Sequence, residues 1–177
     1  PLITMRVLSE EKRSRTLTLL MSAPISMTEI VLGKYIGVLG FFFVQLLLLA
    51  LMALSLTVGA DLDLGKLGSG LLGLALLTSA FVATGIYMSS LTEQPAIAAV
   101  SSFGFLLLMS IINLARSAET AAGGVFSYLS MTQHLNSLLN GLFNSADVIY
   151  YLLFILTFLV LSIQRLDANR LDRKSVV

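Results

Sequence analysis

The sequence predicts an all-α integral membrane protein with four transmembrane helices in its 177 residues. Three observations predict it. Hydrophobic residues make up 56% of the chain and charged ones only 12%, with a mean hydropathy of +0.92. A soluble domain of this length keeps too much of itself at the surface to hide that much apolar area. The apolar residues also gather into runs, each long enough to cross a hydrocarbon core of roughly 30 Å. The charges, finally, collect near the two ends. Residues 5–34 alone hold five of the eleven basic and three of the ten acidic residues. The formal charge of +1, split between those ends, leaves no footprint for nucleic acid. With no cysteine and one histidine, the chain has no disulfide framework, no thiol chemistry and little material for a metal cluster.

The first element is a charged helix expected from Leu2 towards Met21. Glu11 and Arg15 stand at i,i+4 and Glu10 and Arg13 at i,i+3, spacings that pair charges on a helix surface. Leu8, Leu17, Leu20 and Met21 add apolar contacts, so this helix can lie at a membrane interface with its charges in water. Pro24 disfavours a helical Ala23 and ends the run. Ser26 and Glu29 then form a capping-box pattern that starts a new helix into the membrane.

Four spans follow. Residues 35–58 carry Phe41, Phe42, Phe43 and the leucines from Leu46 to Leu49, bulky side chains suited to lipid. Residues 68–91 are rich in Gly70, Gly73, Ala75, Ala80, Ala83 and Gly85, which let helix backbones approach closely. Residues 96–115 follow Pro95, tolerated in a first helical turn. Residues 148–163 have Ser145 as a cap and Asp147 near the positive helix end. Between the last two, residues 116–147 are too long for a turn. There Leu135, Leu138, Leu139, Leu142 and Phe143 recur at helical spacing, which predicts a segment lying in the outer interface or dipping into the bilayer.

Nine of the eleven lysines and arginines precede the first span or follow the last, and only Lys66 and Arg116 lie on the other side. That bias puts both ends of the chain, including residues 164–177, in the cytoplasm, as an even number of spans requires. The chain opens at Pro1 without a signal-peptide pattern, and an N-terminal part is expected to precede it.

The sequence holds no complete nucleotide-binding or hydrolase motif. Gly33-Lys34 lacks the remainder of a phosphate-binding loop, since Thr28 stands where its first glycine belongs and Tyr35 follows the lysine. His134 with Ser130 or Ser137 lacks the context of a serine hydrolase. Asp61 and Asp63 fall in a link and do not face each other within the bilayer. No Asp, Glu, Lys, Arg or His lies within the four spans, where ion-coupled transporters place such groups. Gln45 and Asn113 are read as helix-to-helix hydrogen bonders, and Gly33-x-x-x-Gly37 as a common apolar-helix pattern. Energy for any transport has to come from elsewhere.

The opening PLITMRVLSEEKRSRTLTLLMSAPISMTEIVLGKYIG resembles the start of the core in ABC type-2 export permeases. MSSLTEQPAIAAV and YLSMTQHLNSLLNGLFNSADVIYYLLF agree with it in order and spacing. The nearest group is the gliding-motility and nitrous-oxide-reductase-maturation type. Arg15-Thr16 departs from it, because a glycine typically precedes that threonine.

The resemblance implies one ABC type-2 transmembrane domain holding spans three to six of a six-span permease. It implies a multi-pass protein of the plasma membrane, bacterial inner membrane by family. It pairs with a second permease copy or homologue and with a separate ATP-binding subunit that uses the ATP; this chain itself binds no cofactor or metal and is not an enzyme. Residues 1–34 become a cytoplasmic coupling segment, with Glu10, Glu11, Lys12, Arg13 and Arg15 as the ATPase-facing surface. Leu135, Leu138, Leu139, Leu142 and Phe143 become a candidate extracytoplasmic gate. The export substrate is not specified by uncharged spans. A membrane scaffold that recruits a cytoplasmic protein through the same charged helix is the alternative.

Overall fold

The computed structural model describes residues 3–14, 26–55, 63–115 and 131–174, with the backbone alone for Lys12, 112–115 and 169–174. These residues form six helices: α1 (Arg6–Arg13), α2 (Met27–Ser55), α3 (Leu64–Leu91), α4 (Pro95–Ala115), α5 (Met131–Leu139) and α6 (Ser145–Lys174). No strand occurs among them. Three helices, α2, α3 and α6 through Ala168, are long and apolar enough to cross a membrane. The described apolar stretch of α4, Pro95–Ile111, is shorter. The expected break around Pro24 lies outside the described residues.

α2 begins as its sequence pattern requires. Ser26 N–H donates to Glu29 Oε2 at 2.9 Å, and Glu29 N–H donates to Ser26 Oγ at 3.2 Å. Each side chain thereby satisfies a backbone donor that the first turn leaves open. The helix is buried only near this start, along Met27, Ile30, Val31 and Tyr35. Its later turns expose Phe41, Phe43, Leu48 and Met52. Gly33 and Gly37 face open space among the described residues, so their spacing serves no contact there.

α3 is the central helix. It is buried along small residues, Gly70, Gly73, Ala80, Ala83, Gly85, Ser89 and Ser90 among them. Small side chains permit close backbone approach, and in lipid such packing replaces the hydrophobic drive available in water. Asp63 caps the helix, accepting from Gly65 N–H at 2.9 Å and Lys66 N–H at 3.4 Å. α6 lies along α3 with one buried stripe, Asp147, Tyr151, Ile155, Leu159, Ser162 and Leu166, whose steps of three and four are helical. α4 adds a narrower stripe of Ala98, Ser102 and Leu106. Hydroxyls along these helices return to their own backbones: Thr84, Ser102 and Ser162 donate to the carbonyls of Ala80, Ala98 and Phe158 at 2.9, 2.6 and 2.8 Å. Each donor is thus satisfied without water.

Several boundaries differ from the sequence expectation. The first helix starts at Arg6, not at Leu2, and α3 starts at Leu64, ahead of the expected residue 68, because Asp63 caps it there. α6 continues past Ile163 without a break to Lys174, with Leu166 still buried, since nothing between them stops a helix. Its cap is Asn144, whose Oδ1 accepts from Ala146 N–H at 3.1 Å, one residue before the expected Ser145.

Candidate functional site

Two arrangements sit at opposite ends of α3. At the C-terminal end of α3, α1 docks by its backbone. Leu8 N–H and Ser9 N–H both donate to Ser89 Oγ, at 3.1 and 2.9 Å, and the Ser89 hydroxyl donates to Met5 O at 2.9 Å. One serine thereby satisfies two of the open N–H groups in the first turn of α1 and a carbonyl before it. Ser9 Oγ also bonds Met5 O. Thr4 lies directly on Gly85, where an added Cβ would overlap the threonine hydroxyl. Leu8, expected to offer an interfacial contact, is fully buried in the core. α2 grips α1 from another side: Lys34 Nζ lies 2.5 Å from Glu11 Oε1 and donates to Val7 O at 2.5 Å.

This docking sorts the five charges expected on a coupling surface. Glu10 and Arg13 are exposed. With Arg6 they line an open cleft of about 980 Å³, shared with Glu93, Gln94 and the start of α4. Glu11 is turned inward to Lys34 and helps to hold α1 in place. Adjacent residues on a helix stand about 100° apart, which lets Glu10 line the cleft while Glu11 meets Lys34. The side chain of Lys12, and Arg15 altogether, lie outside the described residues.

At the N-terminal end of α3, α5 is seated on glycines. A Cβ at Gly73 would stand 3.0 Å from Leu138 Cβ and 3.3 Å from Leu135 Cδ1, and one at Gly70 3.6 Å from Leu139 Cδ2. α5 stops at Leu139 in a Schellman motif. Gly141 N–H donates to Leu138 O and Leu142 N–H to Ser137 O, both at 3.1 Å, and Gly141 has a φ of 83°. The five-residue apolar stripe expected here is therefore split. Leu138 is buried, Leu135 half-buried and Leu139 exposed, while Leu142 and Phe143 lie beyond the helix and are exposed. Helical spacing in sequence counts only while the helix continues, and Gly141 reverses it.

The same end carries the one histidine of the sequence. His134 Nδ1 lies 2.6 Å from Asp147 Oδ1, and both side chains are buried. The imidazole stacks on Tyr150, with centroids 4.3 Å apart and planes at 23°. Tyr151 O–H donates to Met131 O at 2.8 Å and adds a second tie between α5 and α6. Below Tyr150 the rings of Phe154 and Phe158 continue along α6, and Phe158 meets Tyr87 of α3 and Phe105 of α4. Among the described residues no group of three or more His, Cys, Asp or Glu could hold a metal ion. Sequence reading gave Asp147 a role at the helix end and His134 none. Neither the role of Ser89 nor the Glu11–Lys34 pair had a local signal, since their partners lie 80 and 23 positions away.

The arrangement is one of docking: two short helices are held at opposite ends of one buried helix. No curated protein and no solved structure matches the chain. The family model described as "ABC-2 family transporter protein" matches residues 1–163, nearly the whole chain. With its long apolar helices, the chain is a multi-pass membrane protein that belongs to the ABC-2 family of transporter proteins and serves as a membrane component of an ABC transporter.

Proposed function

We propose that the chain crosses the membrane four times with both ends in the cytoplasm and is the permease of an ATP-driven exporter. The observation that carries this reading is the double use of α3. Ser89, which holds α1, and Gly73, which seats α5, stand on one uninterrupted helix. At 1.5 Å per residue they are about 24 Å apart, most of a bilayer core. A displacement of α1 therefore reaches the far side of the membrane through one helix. α1 is the coupling helix, and Glu10 and Arg13 on its exposed face meet a separate ATP-binding subunit. α5, with Leu139 at its end and Leu142 and Phe143 beyond it, is the outer gate. The exposed faces of α2 and α4 meet lipid and a second permease copy or homologue. The membrane is the plasma membrane, the bacterial inner membrane in the gliding-motility and enzyme-maturation group that the sequence resembles.

The test is charge reversal on the exposed face of α1, Glu10→Lys with Arg13→Glu, in the full-length permease expressed with its ATPase. Loss of co-purification and of export is the expected result. Retained co-purification together with export would overturn the assignment of that surface. A retained complex that stimulates no ATP turnover with any substrate would favour a membrane scaffold.

A further inference from the structure

The cleft beside α1 is charged at one end and apolar along the other. Arg6, Glu10 and Arg13 line it from α1, at steps of four and three that put them on one helix face. Glu93 and Gln94 line it from the link ahead of α4. All five side chains are exposed. The charged groups of Arg6, Glu10, Arg13 and Glu93 make no ion pair or hydrogen bond among the described residues. Two cations and two anions thus share one cleft unpaired. From there Ala96 and Val100 carry the lining onto α4. Phe103 and Leu107 extend that face in further steps of three and four, and all four residues are exposed. The stripe lies opposite the buried one of Ala98, Ser102 and Leu106. From Ala96 to Leu107 it runs about 16 Å at 1.5 Å per residue, close to one leaflet of a hydrocarbon core of roughly 30 Å.

We propose that this cleft binds one phospholipid whose headgroup joins a phosphodiester to a primary ammonium, with an acyl chain lying on the α4 stripe. The charge pattern selects the headgroup. Arg6 presents N–H donors in the planar fork that suits a phosphate, and the Glu93 carboxylate accepts from the ammonium. Glu10 and Arg13 repeat the two signs along α1, so the four charges sum to zero and a purely anionic headgroup meets two carboxylates. A quaternary headgroup has no N–H to donate to Glu93. The cleft of about 980 Å³ lies at the upper end of small-molecule sites, which hold roughly 300–1,000 Å³. Its place at the junction of α3 and α4 sets the charges at headgroup level and the apolar stripe at acyl-chain level. The leaflet is the cytoplasmic one on the orientation proposed above; the lipid site itself needs only that residues 92–94 leave the bilayer. Arg6 and Glu93, to which the exporter reading gives no role, carry the selective contacts.

The test is native mass spectrometry of the full-length permease in detergent, with phosphatidylethanolamine, phosphatidylcholine and phosphatidylglycerol of identical acyl chains. Phosphatidylethanolamine should bind about fivefold more tightly than either of the others, the size of one exposed ion pair. Glu93→Gln should remove its advantage over phosphatidylcholine, and Arg6→Gln should weaken all three phosphodiesters. Equal binding of the three lipids would overturn the proposal, as would tightest binding of phosphatidylglycerol or a preference that survives Glu93→Gln. Both changed side chains are exposed and unpaired, so melting temperatures should match the wild type. If a variant melts early, the wild type decides in its place: phosphatidylethanolamine with a photoreactive acyl chain should label residues 96–107, and labelling confined to other helices would overturn the site. None of these readouts depends on export or on an ATPase, so the exporter reading can fail while the lipid site stands, and the reverse.

Discussion

Lys34 Nζ lies 2.5 Å from Glu11 Oε1 and the same distance from the carbonyl oxygen of Val7. A lysine two turns into a membrane-crossing helix thus holds a short polar helix by one charge and one backbone acceptor. The pair is partly exposed, with side-chain exposures of 19% and 30%, so water moderates its strength. Either single reversal, Glu11→Lys or Lys34→Glu, should weaken attachment of α1, and the double reversal should restore much of it. A coupling energy of about 1 kcal/mol is expected from a double-mutant cycle read by thermal unfolding in detergent. Additive single effects would mean that Lys34 acts through Val7 O alone.

Ser89→Ala should be costlier than a usual loss of one hydroxyl. It strands the N–H groups of Leu8 and Ser9 in a buried contact and leaves the carbonyl of Met5 to the Ser9 hydroxyl alone. Unsatisfied buried groups cost about 1–3 kcal/mol each, so faster hydrogen exchange at Leu8 and Ser9 is the readout. Protection unchanged from wild type at those two amides would show that α1 does not depend on Ser89.

Gly85→Ala tests the close approach of Thr4. The added methyl overlaps the threonine side chain, and overpacking of this kind costs about 1–3 kcal/mol. Thr4→Gly in the same chain should recover most of the loss in melting temperature. No recovery would place the cost elsewhere on α3.

Gly141→Ala should lower stability by about 1–2 kcal/mol, because the residue sits at φ 83° in the Schellman turn. Its new Cβ would also stand 2.7 Å from Lys66 Cγ, a flexible stem that can move aside. Gly141→Asn should cost less than the alanine change, since asparagine tolerates this backbone region better. Equal losses in the two variants would point to the Lys66 contact as the cause.

How much of this was readable beforehand differs from residue to residue. The capping box at Ser26 and Glu29 is a local pattern, and its geometry lies within four consecutive residues. The small residues of α3 likewise mark a helix meant for close neighbours, and that helix lies at the centre. Composition and charge placement alone carried the membrane class, because lipid admits few backbone arrangements besides the helix. The family followed from ordered motifs along the whole chain.

Pairings between distant residues belong to the tertiary structure alone. Glu10 and Glu11 look alike in sequence, yet one lines a cleft and the other pairs with Lys34. His134 and Asp147 look like two unrelated polar residues until the Gly141 turn brings α5 onto α6. The leucines after Met131 read as one stripe until the same turn divides them. Periodicity records which residues share a helix face; it holds no information on where that helix ends against its neighbours or which face they cover. Composition and periodicity are enough to dictate a membrane protein of helices with charged ends. Packing against α3 decided which charges hold the molecule together and which remain exposed.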